Sequence, residues 1–227
     1  MGTTMDTTLA LQAITRYLAG LLVVGALLFI PAGTFDWWQA WLLLAILFGP
    51  MLVVGLVMRR QSPDLLRRRL NAREDHAEQR LVVAASAAMF LAAFTAAGLG
   101  RRLGWPAFDA RATYVAAVIF LVGYALYAEV MRENAYLSRT IEVQDGQSVI
   151  DTGLYGIVRH PMYAATLLMF ESMPVVLGAP VSLAIMALYL PIIAARIRDE
   201  EETLERDLAG YAAYMRRVRY RIIPFVW

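Results

Sequence analysis

Residues 161–195 decide the fold, and they read PMYAATLLMFESMPVVLGAPVSLAIMALYLPIIAA with a single charge, at Glu171. An α-helix rises 1.5 Å per residue, so about 20 residues cross a hydrocarbon core of roughly 30 Å. The stretch is too long for one such crossing. Leu177-Gly178-Ala179-Pro180 in its middle is a helix stop followed by a restart. It therefore predicts two short antiparallel helices, at about 162–177 and 181–197.

Four further uncharged stretches of membrane-spanning length precede this one. They are residues 17–35, 37–58, 81–100 and 112–128, each long enough for one helix. Hydrophobic residues make up 59% of the 227-residue chain and charged residues 18%, whereas soluble domains have about 45–50% and about 25%. The sequence predicts an all-α fold, a polytopic integral membrane helical bundle of about five to six transmembrane helices.

The chain divides at about residue 130. Residues 1–130 are predicted to form four transmembrane helices, the first a retained helix rather than a secretory signal peptide, because no basic n-region precedes it. The loop 59–80 alternates arginine and leucine and predicts a cytoplasmic amphipathic segment at the headgroups. A gate for a lipid substrate is the alternative for this loop. Residues 131–227 hold the two short helices, a polar region and a tail.

Arginine placement predicts the orientation. All 21 basic residues are arginine, and with six crossings eighteen of them fall on the side that holds both termini. Only Arg101, Arg102 and Arg111 fall on the other. By the positive-inside rule, the termini and the polar region are cytoplasmic, which fits a bacterial inner membrane. Cysteine and lysine are both absent, so no thiolate metal site, no cysteine nucleophile and no lysine base are available.

Three polar clusters converge on the predicted cytoplasmic side, at residues 132–136, 153–163 and 196–202. Ionisable groups at a bilayer are costly and are usually kept for function. Arg132 begins the first cluster and is expected to contact substrate. Beyond it, Asp145-Gly146 between two β-prone runs predicts a short hairpin. An ordinary surface loop explains the first cluster equally well.

The second cluster surrounds the predicted start of the fifth helix at Pro161. Helix N-termini favour anions, yet Arg159 and His160 stand at this one, and such a conflict with a local rule marks a site. The alternative is a juxtamembrane anchor in which Tyr155 and Tyr163 are interfacial aromatics.

The third cluster ends the sixth helix. Arg196 and Glu200 are four residues apart and share a helix face. A salt-bridged helix leaving the membrane is the alternative, and it suits Arg198, Asp199 and Glu202. Four consecutive acids, 199–202, nevertheless exceed what an anchor needs.

The C-terminal stretch is predicted to be a cytoplasmic amphipathic helix followed by a tail. Basic and aromatic residues alternate in the tail, 216–227, as in a headgroup anchor; nucleic-acid binding is the weaker alternative. The apolar residues at helical spacing are Leu204, Leu208, Tyr211, Tyr214 and Val218.

These residues resemble the isoprenylcysteine carboxyl methyltransferase superfamily, which also includes phospholipid N-methyltransferases and bacterial thiol methyltransferases. The resemblance covers about residues 130–227; the first four helices match in hydropathy alone. One departure is Ala164-Ala165, where many members have a glycine shortly after the tyrosine of the RHPxY run. The motifs that carry the resemblance are Gly153-x-Tyr155, Arg159-His160-Pro161-x-Tyr163, Arg196-x-x-x-Glu200-Glu201, Tyr211-x-x-Tyr214 and Arg221-Ile-Ile-Pro224.

The resemblance implies an S-adenosylmethionine-dependent membrane methyltransferase without a metal. The cofactor would enter from the cytoplasm and a lipophilic acceptor from the bilayer; a carboxylate, a phospholipid amine and a small thiol all remain open. Three residues are predicted for catalysis: Arg159 and Glu201 by match to the motifs, and Arg132 of the first polar cluster, which would orient an acidic substrate. The predicted cofactor residues are Tyr155, His160, Pro161, Tyr163, Arg196, Glu200 and Glu201.

Two other functions stay open on the sequence. The motifs could be anchors of a non-catalytic membrane protein, such as a small carrier or an assembly factor. A membrane reductase related to the sterol reductases is the other alternative, although no separate phosphate-binding run for a nicotinamide cofactor is visible. In each case the lipid bilayer is the expected partner, and a net charge of +2 gives no reason to expect nucleic acid.

Overall fold

The computed structural model describes residues 2–61, 77–134, 136, 143 and 146–227, with side chains described outside 2–9, 57–61 and 77–81. Within those residues every regular element is a helix, including a single 3-10 turn at Gly153–Gly156, so the predicted all-α fold is confirmed. The α-helices are α1 (Gly2–Ala32), α2 (Trp38–Gln61), α3 (Ala77–Leu103), α4 (Ala110–Glu133), α5 (Pro161–Val176), α6 (Pro180–Met186), α7 (Tyr189–Asp207) and α8 (Tyr211–Arg217).

Five segments in the described part of the chain are long and apolar enough to cross a membrane, which confirms the predicted polytopic bundle. Many large apolar side chains on their outer faces are exposed. Such faces are unfavourable in water, but in the hydrocarbon core of a membrane their exposure carries no free-energy penalty. The segments are Ala10–Ala32, Trp38–Leu56, Val82–Leu103, Ala110–Glu133 and Pro180–Asp207.

Helix α5 is shorter than these segments but still joins the two ends of the bundle. It has 16 residues, about 24 Å of helix. Just beyond its C-terminal end, the backbone N–H of Phe108 donates to the carbonyl of Gly178 at 3.1 Å, so this end meets the turn before α4. Its N-terminal end lies beside the polar residues of the C-terminal region. The predicted helix 181–197 differs: it is divided at residues 187–188, and α7 continues to Asp207.

The core lies where the helices cross. Helix α1 packs against α2 and α3, while α4 lies along α5 over most of its length. Leu28, Leu43, Phe120 and Met186 have no exposed surface at all, and they come from α1, α2, α4 and α6. The C-terminal helices are therefore packed into the same bundle as the first four, and they present their polar residues at one end of it.

Two predicted loop features lie outside the described residues. Residues 62–76 hold most of the loop 59–80, for which an amphipathic segment is predicted. Residues 137–142 and 144–145 hold most of the predicted hairpin. Both remain predictions.

The predicted C-terminal amphipathic helix is not confirmed as one helix. Helix α7 ends at Asp207, and Gly210 adopts a left-handed conformation with φ of 88° that turns the chain into α8. The apolar side chains at helical spacing still meet. Leu208, Tyr211, Tyr214 and Val218 form a small buried cluster at the polar end of the bundle, separate from the main core.

Candidate active site

A cavity opens at the polar end of the bundle, between the start of α5, the end of α7, helix α8 and the segment 147–150. Its empty space, counted together with the open mouth, is about 840 Å³. Seven of the predicted site residues line it, although they come from two separate clusters of the sequence. They are Tyr155, Arg159, His160, Pro161, Tyr163, Arg196 and Glu200.

Glu201 lies beneath this lining and holds it together. Its Oε1 accepts from Arg159 Nε at 2.6 Å and lies 3.1 Å from His160 Nε2. The Arg159 and Glu201 side chains are only 8% and 7% exposed. Two cationic-type side chains at the N-terminus of α5 are thus compensated by one buried carboxylate, which resolves the conflict seen in the sequence. Glu201 itself does not line the cavity.

The C-terminal tail completes the surroundings of Glu201. Arg221 donates from Nε to Glu201 Oε2 at 2.8 Å and lies over the Trp227 ring, 5.3 Å from its centroid. The tail also pairs with the start of α5, because the N–H groups of Arg159 and His160 donate to the carbonyls of Tyr220 and Arg221 at 2.9 and 2.8 Å. These backbone hydrogen bonds hold the main chain that carries the Arg159 and His160 side chains.

Glu200, the neighbour of Glu201 on α7, faces the cavity. Its Oε2 accepts from the Tyr163 hydroxyl at 2.5 Å, and Arg196 Nε donates to the same hydroxyl at 3.0 Å. His160 Nδ1 lies 3.9 Å from Glu200 Oε1. One wall of the cavity therefore presents a carboxylate and a guanidinium joined through a phenol, a combination that can meet both charges of a zwitterion.

Tyr155 anchors the opposite wall. Its hydroxyl accepts from Asn134 Nδ2 at 2.8 Å, and its carbonyl accepts from the Tyr214 hydroxyl at 2.8 Å. Burial raises the pKa of Tyr155 to about 12, so its hydroxyl stays protonated at neutral pH.

The turn before α5 depends on a glycine. Gly153 has φ of 49°, and a Cβ at this position would overlap the Glu133 carboxylate. That carboxylate accepts from Thr152 Oγ1 at 2.8 Å and from the Leu154 N–H at 3.2 Å. The end of α4 is thereby joined to the 3-10 turn that carries Tyr155.

Two residues singled out in the sequence lie away from the cavity lining. Arg132 is on the surface, where it donates to Glu129 at 2.5 and 2.9 Å. Glu171 lies in α5, within the apolar part of the bundle, and its Oε1 is buried without a hydrogen-bond partner among the described residues. No arginine in the described part of the chain pairs with it.

Several cavity residues had no role assigned from the sequence. Tyr211 and Tyr214 belong to a motif of the resemblance, and their three-residue spacing is the signal that could have assigned them. Asn134 belongs to the first polar cluster. Met162 and Leu204 carry no pattern beyond helical hydrophobicity, so only the structure places them at the cavity.

The motifs' resemblance is confirmed by a family model. Residues 114–206 match the model of the isoprenylcysteine carboxyl methyltransferase (ICMT) family. The match runs from α4 to the end of α7 and includes both walls and the buried Glu201. The matched stretch is about two-fifths of the chain.

Among solved structures, this chain is similar to the eukaryotic intramembrane Ras methyltransferase ICMT (isoprenylcysteine carboxyl methyltransferase), solved without a monobody. The match covers 94% of this chain and 77% of that one, with a TM-score of 0.50 and 19% sequence identity. At this identity the similarity establishes a shared fold. It extends the likeness to α1, α2 and α3, which lie outside the family match.

A curated relative is the Delta(14)-sterol reductase of Mus musculus. It is 32% identical over 91 residues, which are 39% of this chain and 22% of the relative. The matched residues thus span about a fifth of the length of this relative.

Proposed function

We propose that this protein is an integral membrane methyltransferase that binds S-adenosylmethionine in the cavity and methylates a lipophilic acceptor. The observation that carries the proposal is that the family match, from α4 to α7, includes most of the elements that build the cavity, all but helix α8. A non-catalytic anchor would not need the buried cluster of Arg159, His160 and Glu201 beneath a lined cavity.

The residues of the cavity fit this cofactor. S-adenosylmethionine carries a carboxylate, an ammonium, a ribose diol and a sulfonium, and when bound it supplies an electrophilic methyl group. Glu200 suits the ammonium or the diol, while Arg196 suits the carboxylate. Tyr155 and Tyr163 offer rings that stabilise a positive charge. The buried Tyr211 hydroxyl, which has no hydrogen-bond partner among the described residues, is a further sign that the cavity receives a ligand.

The surrounding residues act by positioning. Glu201 holds Arg159 and His160 at the N-terminus of α5, and Arg221 holds Glu201 from the other side. A fixed lining costs no reorganisation when a reactant binds, which is how a site that relies on positioning and on exclusion of water accelerates a reaction. In this account Arg159 and Glu201 are positioning residues rather than groups that touch the reacting atoms.

The acceptor is proposed to reach the cavity from the bilayer, and the cofactor from the cytoplasm. The arginine distribution supports this sidedness, because the cavity lies at the end of the bundle that carries most of the charge. Arg132 is proposed to meet an acidic headgroup outside the cavity, since it lies on the exposed surface of α4.

The proposal is tested by thermal unfolding of the detergent-purified protein with S-adenosylhomocysteine. A ligand at 100 times its Kd stabilises the native state by about 2.7 kcal/mol, so a clear increase in Tm is expected. An unchanged Tm at saturating ligand would contradict the proposal. Incubating membranes with cofactor labelled in the methyl group then identifies the lipid or small molecule that takes up the label.

A membrane reductase is the second candidate, and its support is the 32% identity with the sterol reductase. The same unfolding experiment separates the two functions when it is repeated with a reduced nicotinamide cofactor. Stabilisation by that cofactor, without stabilisation by S-adenosylhomocysteine, would favour the reductase.

A further inference from the structure

Five tyrosines line the cavity, and the structure accounts for four of their hydroxyls. The Tyr136 hydroxyl donates to the carbonyl of Gly146 at 3.2 Å. Those of Tyr155, Tyr163 and Tyr214 bond to Asn134, Glu200 and the carbonyl of Tyr155. The fifth, that of Tyr211, is buried and has no hydrogen-bond partner among the described residues.

The position of Tyr211 makes this lack of a partner informative. Its side chain is 4% exposed and belongs to the buried cluster with Leu208, Tyr214 and Val218, yet it borders the cavity. Its ring packs against that of Tyr214 with centroids 5.6 Å apart. A phenylalanine would fill the same space without leaving a polar group unpaired. Because buried polar groups are almost always bonded, the hydroxyl at this place indicates a ligand.

The surroundings indicate which ligand atoms suit the hydroxyl. Burial, together with the charges of Glu201 and Glu200, raises the pKa of Tyr211 far above its ordinary value, so the hydroxyl is a neutral donor. The carboxylates of Glu200 and Glu201 would repel a ligand carboxylate at this position. A neutral acceptor, such as a ribose oxygen or a purine ring nitrogen, fits both conditions.

We propose that Tyr211 is a binding residue for the nucleoside part of the cofactor and donates a hydrogen bond to one of its neutral acceptor atoms. This inference rests on the proposed function and deepens it, because it divides the cavity into two parts. Tyr211 on α8 faces the nucleoside, whereas Arg196 and Glu200 on α7 meet the charged amino-acid part.

The test is Tyr211→Phe, with Tyr214→Phe as the matched control on the same short helix. Both variants lose one hydroxyl, but only that of Tyr214 bonds to the protein in the described structure. Without ligand, Tyr211→Phe is expected to keep or raise the Tm, whereas Tyr214→Phe is expected to lower it, since the carbonyl of Tyr155 loses its donor. By calorimetry, Tyr211→Phe is expected to weaken S-adenosylhomocysteine binding about five- to tenfold.

A second probe locates the contact on the ligand. 5′-Methylthioadenosine contains the nucleoside but lacks the amino-acid part, so its affinity should fall by the same factor in Tyr211→Phe. An equal affinity of the variant and the wild type for S-adenosylhomocysteine, or a lowered Tm of the free variant, would overturn the role of Tyr211 in binding. The nucleoside contact would be overturned by either of two results. Methylthioadenosine would fail to compete with S-adenosylhomocysteine for the wild type, or it would compete equally well for Tyr211→Phe and the wild type. Failure of S-adenosylhomocysteine to bind the wild type would instead contradict the proposed function.

Discussion

Glu200 and Glu201 are neighbours on α7, but their carboxylates lie in different surroundings. Glu200 borders the cavity and accepts from Tyr163 at 2.5 Å. Glu201 is buried beneath it, bonded to Arg159, His160 and Arg221. The adjacent acids therefore divide two tasks: one faces a ligand, and the other fixes the residues around it. Substitution of Glu201 should therefore lower stability, whereas substitution of Glu200 should weaken ligand binding and leave stability unchanged.

Glu201→Gln is expected to lower stability strongly. The substitution removes the buried carboxylate that compensates Arg159 and Arg221, and breaking such a cluster from one side costs about 3 kcal/mol or more. Thermal unfolding in detergent measures the effect, with Glu202→Gln as the control because Glu202 is exposed one position further along α7. Equal Tm values for the two variants would show that Glu201 does not have this structural role.

Glu200→Gln is expected to keep the Tm and weaken S-adenosylhomocysteine binding. Glutamine can still accept from Tyr163 but loses the charge, and a charge-assisted hydrogen bond contributes about 1.5–3 kcal/mol, or roughly 10- to 100-fold in affinity. Calorimetry compares the variant with Asp199→Asn, which neutralises the exposed acid just before it. Unchanged affinity in Glu200→Gln would remove Glu200 from the binding site.

Arg221→Met is expected to weaken both stability and binding, because Arg221 is the link between the tail and Glu201. The loss of its hydrogen bonds to a buried carboxylate should cost about 2 kcal/mol. The control is Arg219→Met. Arg219 is exposed, and its described hydrogen bond at the site is accepted by its backbone carbonyl, which the substitution keeps. If both variants unfold like the wild type, the tail does not stabilise the site.

Glu171→Met is expected to raise the Tm by a few degrees without changing S-adenosylhomocysteine binding. Glu171 Oε1 is buried without a described partner, and replacing an unsatisfied polar group by an apolar one of similar size removes its desolvation cost. Unfolding and calorimetry on the same preparation give both values. A decrease in Tm would indicate that the carboxyl has a stabilising partner.

Much of the fold could be predicted from the sequence, because hydropathy and charge gaps act over whole helices. The uncharged stretches correspond to α1–α4, and the interruption at Gly178-Pro180 separates α5 from α6. The break at residues 187–188 has no comparable signal, since Ala187 and Leu188 are ordinary helix formers. The end of α7 at Asp207 was also missed, because the apolar spacing continues through Leu208 and Tyr211 across the turn at Gly210.

The site could be predicted in its residue types but not in its arrangement. The RHPxY run and the acid pair belong to recognisable motifs, and the structure brings Arg159, His160 and Glu201 together across 42 positions of sequence. Nothing in the local pattern tells which of two adjacent glutamates faces inward, since that depends on how α7 is rotated against α5. The contribution of Arg221 likewise depends on the path of the tail.

The methyltransferase function is measured as transfer of a labelled methyl group from S-adenosylmethionine in proteoliposomes that contain the purified protein. We expect label in the lipid-soluble fraction of a native membrane extract with the wild type, and much less with Glu200→Gln at equal protein. No label above protein-free liposomes, or equal label with the wild type and Glu200→Gln, would contradict the claim that this cavity is the site of a membrane methyltransferase.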